Sequence, residues 1–544
     1  MDPPALKMKP GTSKEELSGE LIRALQNSVL YDHPVESFSV IETHISWVLL
    51  TGAFAYKFKK PVSLGFVDFS SLEKRHYYCA EELRLNRRFA AELYLEVVAI
   101  TGTPVQPQIN GDGEVIEYAV KMREFEQHNL LSSYADERLL QAEHIDAIAD
   151  VLADFHDTAE PVESNSVFGS FDTISKWSNE NFEHIESIVP ADLLPGYFEA
   201  LKQWCLDMDE NRRSLIETRQ ARGFVRDCHG DLHLGNLAFI DGQVTPFDCI
   251  EFNPELRCID TISEIAFVAM DLQARGYSAG AWQFINRYLQ NTGDYAGIAL
   301  LRYYIVYRAL VRAKVKALRL DQITPGGDHD SSHYEEVYRY LDLARTWSAN
   351  ARPAIIVMHG LSGSGKSTLA RQLVETIGAV QVRSDVERKR LYDLKPDADS
   401  GSALQQSIYT LEATMQTYDC LEDQARKVVR AGFSVIVDAT FLLKAYRDQF
   451  QALALECHVP HVVISCEVPE NVLRDRIRLR SEAHNDPSEA NLEVLQHQLK
   501  SQQVITKQER LSTETIICSE STLNPDQLSR LMRHIDPSGS SKKQ

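Results

Sequence analysis

The 544-residue sequence predicts an α+β domain of two lobes followed by an α/β domain built on a parallel sheet. Three observations lead there. A strand-rich segment holding one helix, about 36–130, precedes a mostly helical stretch that runs to 347. From 353 onward, short apolar runs alternate with helical spacing, the order that builds a parallel sheet covered on both faces. A glycine-rich loop, "GLSGSGKST" at 360–368, joins the first of those runs to the helix after it.

Length alone argues for more than one core. Hydrophobic content of 44% and charged content of 25% are those of a globular protein. A net charge of −21 opposes a nucleic-acid partner or an anionic membrane surface, since like charge repels at long range. The nine cysteines are scattered without a CxxC pair, which suits neither a disulfide framework nor a zinc site and fits a reducing cytoplasm. The polar N-terminus does not read as a signal peptide, and no apolar run reaches the length of a membrane span. The expectation is a cytoplasmic protein with no membrane partner.

The elements follow in order. Residues 1–35 read as an N-terminal extension whose first ten or so residues are disordered. "SWVLLTGAFAYKFKK" (46–60) is a strand, a Gly turn and a second strand. Helical spacing of Leu72, Tyr78, Leu83, Leu85 and Phe89 marks a helix over 71–93. "YLEVVAITG" and "VIEYAVKMREF" are further strands separated by the turn signal "NGDG". The segment "NLAFIDGQVTPFDCIEF" (236–252) reads as a hairpin turned at Asp241-Gly242. "DQITPGGDHDSSH" (321–333) has loop composition, and the boundary between domains falls in "SANARP" (348–353). Apolar runs at 354–360, 379–385, 433–440 and 461–468 then supply the parallel strands of a domain spanning 353–535, with a disordered tail at 536–544.

The loop at 360–368 fits G-x-x-x-x-G-K-[ST] through Gly360, Gly365, Lys366 and Ser367, with Gly363 and Thr368 inside the same stretch. A Gly/Ser-rich turn would share the composition, but the strand before and the helix after are the context that gives the motif its meaning. Glycines let backbone N–H groups close around phosphate oxygens, Lys366 reaches the β/γ-phosphates of ATP, and the Ser367 hydroxyl ligates Mg²⁺. "VIVDAT" ends a strand in Asp438, suited to holding Mg²⁺ or its water shell. Asp385 in "VRSDVERKR" falls at the end of the preceding strand, with Arg388 three residues on. A carboxylate at that sheet edge would take the proton of an acceptor hydroxyl, though a helix N-cap is the plainer reading. "LRDRIRLRS" carries Arg474, Arg476, Arg478 and Arg480, which either close over a transferring phosphoryl group or pair with neighbouring acids on a solvated face.

A second loop, "CHGDLHLGNLAF" (228–239), concentrates two histidines, Asp231 and Asn236. One reading makes His229, Asp231 and His233 ligands of Zn or Fe on one face of a strand. It leaves Asn236 and the later Asp248 unexplained. His156, on an otherwise apolar helix, reads as packing.

The C-terminal constellation resembles the small P-loop kinases that include gluconate kinases, zeta toxins and 5′-polynucleotide kinases. That resemblance implies Asp385 as acceptor base, Arg388 as the residue that orients the acceptor, and Arg480 or Arg476 as lid arginine. The spacing Asp231-x-x-x-x-Asn236 equals that of the protein-kinase catalytic loop, and His-Gly-Asp resembles the aminoglycoside phosphotransferase and choline kinase branch of the kinase-like fold. Over 36–347 (small lobe to about 130, large lobe from about 131) this implies Asp231 as base, with Asn236 and Asp248 as Mg²⁺ ligands. Lys57 would pair with Glu82 on the nucleotide side (Glu81 is the neighbouring choice, and a merely basic strand end at Lys57, Lys59 and Lys60 the plain one). Asp260 and Glu264 would be supports, while Glu251 has no assigned part. No G-x-G-x-x-G precedes Lys57. The whole chain resembles bacterial fusions of an aminoglycoside-phosphotransferase-like domain with a P-loop, AAA family ATPase-like domain. It implies an ATP- and Mg²⁺-dependent phosphotransferase acting on a hydroxyl of a small aminoglycoside-, choline- or sugar-like molecule. Two rival readings are a nucleotide-sensing regulatory protein and a nucleic-acid 5′-kinase with an accessory domain, the latter opposed by the overall charge.

Overall fold

The computed structural model describes residues 14–63, 67–323, 331–349, 352–396, 398, 410–483, 491–512, 514–518 and 522–535. The ends expected to be disordered, and 324–330 of the expected loop, lie outside the described residues. The chain forms two compact units, one of residues 1–140, 158–174 and 216–264, the other of 141–157, 175–215 and 265–544.

In the first unit α1 (Lys14–Ala24) precedes β1 (Ser39–Glu42), β2 (Ser46–Leu50), β3 (Phe54–Lys59), α2 (Leu72–Ala90), β4 (Tyr94–Thr103), β5 (Gln106–Ile109) and β6 (Val115–Arg123). The strands form one antiparallel sheet in the order β1-β2-β3-β6-β4-β5. Strand β5 was not among the expected strands; it occupies the turn region ahead of "NGDG". Alternation along β3 decides where its charges go. Tyr56 and Phe58 join Trp47, Leu49, Val98 and Ile100 beneath Leu21 and Ile22 of α1 and Leu25 just past its end. Lys57 and Lys59 therefore point to the opposite face, where α2 lies with Cys79 and Ala90 packed against Tyr94 and Val120. Helix α2 starts at Ser71, whose hydroxyl accepts from the Lys74 N–H, and ends with Arg87 and Arg88 in its last turn, the charge placement its dipole favours.

The helical stretch expected beyond about 135 is present as α3 (Leu131–Asp136), α4 (Ala142–Thr158), α5 (Phe171–Ile188) and α6 (Phe198–Ala221). After them come β7 (Val225–Asp227), β8 (Leu237–Ile240), β9 (Gln243–Pro246), α7 (Pro254–Arg257), β10 (Cys258–Asp260) and α8 (Thr261–Ala274). Strands β8 and β9 form the predicted hairpin, turned at Asp241 and Gly242, both with positive φ. Strand β7 pairs antiparallel with β10.

In the second unit α9 (Ser278–Thr292), α10 (Ile298–Ile323) and α11 (Glu335–Ser348) lead to β11 (Ile355–His359) and α12 (Lys366–Ile377). Then follow β12 (Val380–Arg383), α13 (Ser384–Arg390), α14 (Leu411–Arg430), β13 (Val435–Asp438), α15 (Lys444–Glu456) and β14 (His461–Cys466). The remaining elements are α16 (Glu470–Ala483), α17 (Leu492–Ser501), α18 (Lys507–Ser512), β15 (Glu514–Cys518) and α19 (Pro525–Ile535). The five strands are parallel in the order β12-β13-β11-β14-β15, so the predicted parallel sheet is present, with β15 an addition. Ile356, Met358, Ile436, Val462 and Ile464 pack with Leu369, Leu373 of α12 and Leu531, Ile535 of α19. The alternate residues Ile355, Val357, Val435, Val437 and Val463 are equally buried, as a sheet covered on both faces requires.

Candidate functional site

In the first unit, three chain segments converge on Lys57. Its Nζ lies 2.7 Å from Glu82 Oε1 and also pairs with Asp248. Lys59, one strand repeat further on, lies 2.7 Å from the second Glu82 oxygen and pairs with Glu251. The Glu82 side chain is wholly buried and that of Lys59 is 1% exposed, so these charges exist only as a set. Desolvation opposes the charged form of Lys57, but Asp248, Glu82 and Glu251 outweigh it and hold its pKa well above the ordinary value. For Glu82, burial pushes upward and the two lysines pull harder downward, leaving the carboxylate below its usual range. Glu251 goes the other way: burial, with Glu82 beside it, raises its pKa despite Lys59.

Sequence reasoning left Glu251 unassigned and treated Lys59 only as a neighbour of Lys57. The available signal was the strand period, since residues 57 and 59 share a face. Lys60, on the other face, pairs with Glu42 at 2.6 Å over the Trp47 ring. The basic strand end is thus two separate arrangements. Glu81, the other choice for the pair, turns outward to Arg84 at 2.8 Å.

Asp248 was expected on a short strand. It instead stands beyond the end of β9 with φ +64, a left-handed conformation that costs about 1–3 kcal/mol for a residue with a side chain. Neighbours hold it there. Its N–H donates to the Tyr94 hydroxyl at 3.0 Å, and the next N–H, of Cys249, donates to Asn86 Oδ1 at 2.9 Å. The bend carries the carboxylate to Lys57.

The loop 228–236 is not a strand either, since β7 ends at Asp227. Glu264 Oε1 accepts from the His229 and Gly230 N–H groups at 2.8 and 2.7 Å, gathering the turn from below. Gly230 has φ +91, and a Cβ there would stand 2.8 Å from the Leu256 carbonyl oxygen, so arginine cannot occupy this position of the loop. Asn236 Nδ2 donates to the Asp231 carbonyl at 2.9 Å and to its Oδ2 at 3.1 Å, which fixes the two polar residues to one another. Asp260 holds Arg219 at 2.7 and 2.9 Å and accepts from the Ile262 N–H at 2.8 Å.

The three-ligand metal reading does not survive this geometry. His229 is fully buried, its Nε2 donates to the Phe247 carbonyl at 2.8 Å, and its Nδ1 accepts from the Asp231 N–H at 3.4 Å. Both ring nitrogens are used by the backbone, and burial lowers its pKa, keeping the ring neutral. His233 Nδ1 accepts from the Gly235 N–H at 3.0 Å. His156 is buried and bonded to the Tyr288 hydroxyl at 2.8 Å, a packing arrangement.

In the second unit, the loop after β11 surrounds a cavity of about 850 Å³. Gly363, Gly365, Lys366, Ser367, Thr368, Asp385, Arg388, Asp438 and Arg476 all line it. Gly360, Gly363 and Gly365 have φ of +143, +82 and +89, and a Cβ on Gly360 would stand 2.6 Å from the Cys466 carbonyl oxygen. This backbone closes only with glycine. Lys366 opens α12 and folds its Nζ back to the Leu361 carbonyl at 2.8 Å. Asp438 ends β13 with the Ser367 hydroxyl and Arg383 beside it, and burial, the largest influence, raises its pKa.

Asp385 lies in the first turn of α13, past the end of β12, with its Oδ1 3.8 Å from Arg388. The cap position belongs to Arg383, so Asp385 is not the N-cap. Arg476 donates to the Gly363 carbonyl at 3.4 Å, while Arg474 pairs with Glu470 at 2.6 Å on the outer face. The Arg480 side chain lies outside the described residues. Two further contacts escaped sequence reasoning because they join distant segments. Gln498 of α17 accepts from the Ser362 N–H at 2.9 Å and donates to its hydroxyl at 3.0 Å, and Gln381 of β12 donates to Asp438 Oδ2 at 2.9 Å.

Among the described residues no helix is long and apolar enough to cross a membrane, and no cysteine is in a disulfide.

Two family models match separate stretches of the chain. The family described as "Phosphotransferase enzyme family" matches residues 71–248, and "AAA domain" matches 355–505. Along most of its length the chain is similar to "Uncharacterized protein Rv2004c" of Mycobacterium tuberculosis, 32% identical over 461 residues, which cover 84% of this chain and 89% of that protein. "Uncharacterized protein Mb2027c" of Mycobacterium bovis gives the same figures. Among solved structures, a choline/ethanolamine kinase family protein from Mesorhizobium loti is 11% identical with a TM-score of 0.37, covering 61% of this chain and 99% of that one. Chaetomium thermophilum Kti12, solved in complex with ADP-AlF3, is 15% identical with a TM-score of 0.27, covering 34% and 97%. The chain belongs to the family of these mycobacterial proteins, and it joins a kinase-like phosphotransferase-family domain to a C-terminal P-loop domain.

Proposed function

We propose that the chain is a cytoplasmic ATP-dependent phosphotransferase with two nucleotide-binding modules, the first of which phosphorylates a hydroxyl of a small molecule. One observation carries the reading: Lys57 Nζ touches both Glu82 and Asp248, residues of a strand, a helix and a bend that are far apart in sequence. A lysine held by a helical glutamate is set to bind nucleotide phosphates. Asp231, 37% exposed at its side chain and fixed by Asn236, then serves as the base. It accepts the proton of the acceptor hydroxyl as that oxygen attacks the γ-phosphorus, and ADP departs with the electrons of the broken P–O bond. Asn236 and Asp248 offer oxygen ligands suited to Mg²⁺, whose charge would offset that of the phosphates. The residues fit such an ion, because Asp248 is already bent out of strand geometry and has an exposed carboxylate.

The P-loop module holds phosphates differently. Backbone N–H groups of the loop and Lys366 receive them, and Ser367 and Asp438 sit together as an Mg²⁺ site would require. Asp385 and Arg388 line the same cavity and take the acceptor side, with Arg476 above the loop.

The test is acceptor-dependent ATP turnover by full-length Asp231→Ala and Lys366→Ala variants across a panel of hydroxyl compounds. Each substitution should remove a separate activity. Full turnover retained by both would refute the two-enzyme reading.

A further inference from the structure

Helix α9 lies outside both matched ranges, 71–248 and 355–505, yet it is built into the P-loop sheet. Strand β12 lies at one edge of the sheet, and that edge would ordinarily leave backbone groups without a partner. Asn286 of α9 supplies one. Its Nδ2 donates to the Ala379 carbonyl at 3.0 Å, and its Oδ1 accepts from the Gln381 N–H at 2.6 Å. A single side-chain amide thus replaces one peptide group of a missing strand. The rotamer is fixed by a further bond from Nδ2 to the Trp282 carbonyl at 2.8 Å, and Asn286 is 4% exposed.

Gln381 carries the contact inward. It is 5% exposed, faces Ile436 across the β12–β13 pair, and donates its Nε2 to Asp438 Oδ2 at 2.9 Å. Arg383, opposite Asp438, lies 3.7 Å from the same oxygen. The far end of the strand–helix unit is tied down as well, because Arg390 of α13 donates to the Gln290 carbonyl of α9 and pairs with Glu387. Helix α9 therefore grips both ends of the segment that carries Gln381, Asp385 and Arg388.

We propose that Asn286 and Gln381 are positioning residues of the P-loop module: α9 fixes Gln381, and Gln381 fixes the carboxylate of Asp438 toward the metal of a bound Mg-nucleotide. A carboxylate that lacks its outer hydrogen bond turns about its own axis, and loss of such an outer partner costs roughly 10–100-fold in metal affinity. The P-loop site is then incomplete without a helix that lies well upstream of the matched domain. This inference rests on reading Lys366, Ser367 and Asp438 as a nucleotide site.

The experiment is titration calorimetry of ADP with and without Mg²⁺ on the full chain carrying Lys57→Ala, which silences the other module. Gln381→Leu and Asn286→Ala should each cut the Mg²⁺-dependent gain in ADP affinity by on the order of ten-fold. ADP affinity without Mg²⁺ should stay unchanged. The double variant should lose no more than Gln381→Leu alone, since both act through one path. A full gain retained by Gln381→Leu, which leaves α9 untouched, overturns the proposal, as does a double variant that loses the sum of the two. Should Asn286→Ala lower the melting temperature, Gln381→Leu decides the case alone. Lys366→Ala in the same background separates the two levels: ADP binding that survives it refutes the nucleotide reading itself.

Discussion

The two candidate sites are built by opposite means. Around Lys57 the work is done by side chains: two lysines and three carboxylates, drawn from β3, α2 and the stretch after β9, must be assembled before any is stable in its place. Around Lys366 it is done by backbone, in a loop whose shape is set by three left-handed glycines and whose strand and helix are its immediate neighbours. The first arrangement is sensitive to every charge in it. The second is sensitive first of all to backbone space. Each module is therefore vulnerable at a different point.

The largest effect should come from the two lysines. Lys57→Ala and Lys366→Ala should each reduce the turnover of their own module by about 10²–10³-fold, read as kcat/KM, and leave the other module's turnover intact. Loss of both activities in either variant would break the comparison.

Next is Glu82→Gln, which leaves Lys57 and Lys59 buried with one carboxylate fewer. It should destabilise the first unit by about 3–5 kcal/mol, seen as an early step in a denaturant titration followed by hydrogen exchange on α2 and β3. No substitution of one charged side chain lining the P-loop cavity should match it, and a Lys366→Ala variant with equal destabilisation would remove the contrast.

A smaller effect concerns pH. His359, bonded to the Ser465 hydroxyl at 2.8 Å, has a pKa of about 4, lowered from the ordinary 6.5 by burial and then by Arg447 and Lys366. The neutral ring's contribution to stability is complete above pH 6.5 and declines as pH falls toward 4, because the unfolded chain alone takes up the proton there. His359→Asn should flatten the fall in melting temperature of the second unit over that window, and an unchanged slope would count against the assignment.

The smallest should be the paired replacement Lys59→Met with Glu251→Leu. Removing a buried ion pair whole is often neutral, so stability should shift by less than about 1 kcal/mol, whereas Glu251→Gln alone should cost several times more. A large loss in the double variant, measured by the same denaturant titration, would mean that Lys59 matters for more than balancing Glu251 and that Glu82 needs both lysines.

The legibility of the two sites differs for the same reason as their physics. Gly360, Lys366, Ser367 and the strand end at Asp438 could be read directly, because a phosphate loop is one contiguous segment and apolar runs announce its sheet. Asp231, Asn236 and Asp248 were singled out through resemblance to the kinase-like catalytic loop, the first two by their spacing. Lys59 and Glu251 were not joined, although the strand period placed the first beside Lys57, because nothing local says which acid a buried lysine will meet. The expected strand at Asp248 failed because a left-handed residue ends a strand, and that conformation is held by Tyr94 and Asn86 from other elements. The Zn or Fe reading failed because a sequence does not show that backbone carbonyls and N–H groups have already claimed both nitrogens of His229.

By itself, then, the sequence determined the order of elements, the parallel sheet after 353, the phosphate loop and the identity of the charged residues in play. These follow from periodicity, from glycine at positions where a Cβ has no room, and from residue types at short spacing. Tertiary structure alone decided which charges neutralise which, and that Asn286 and Gln381 stand behind Asp438. Pairing of buried groups depends on distance in space between segments far apart in the chain, and the free energy that selects it arises only when water has left them.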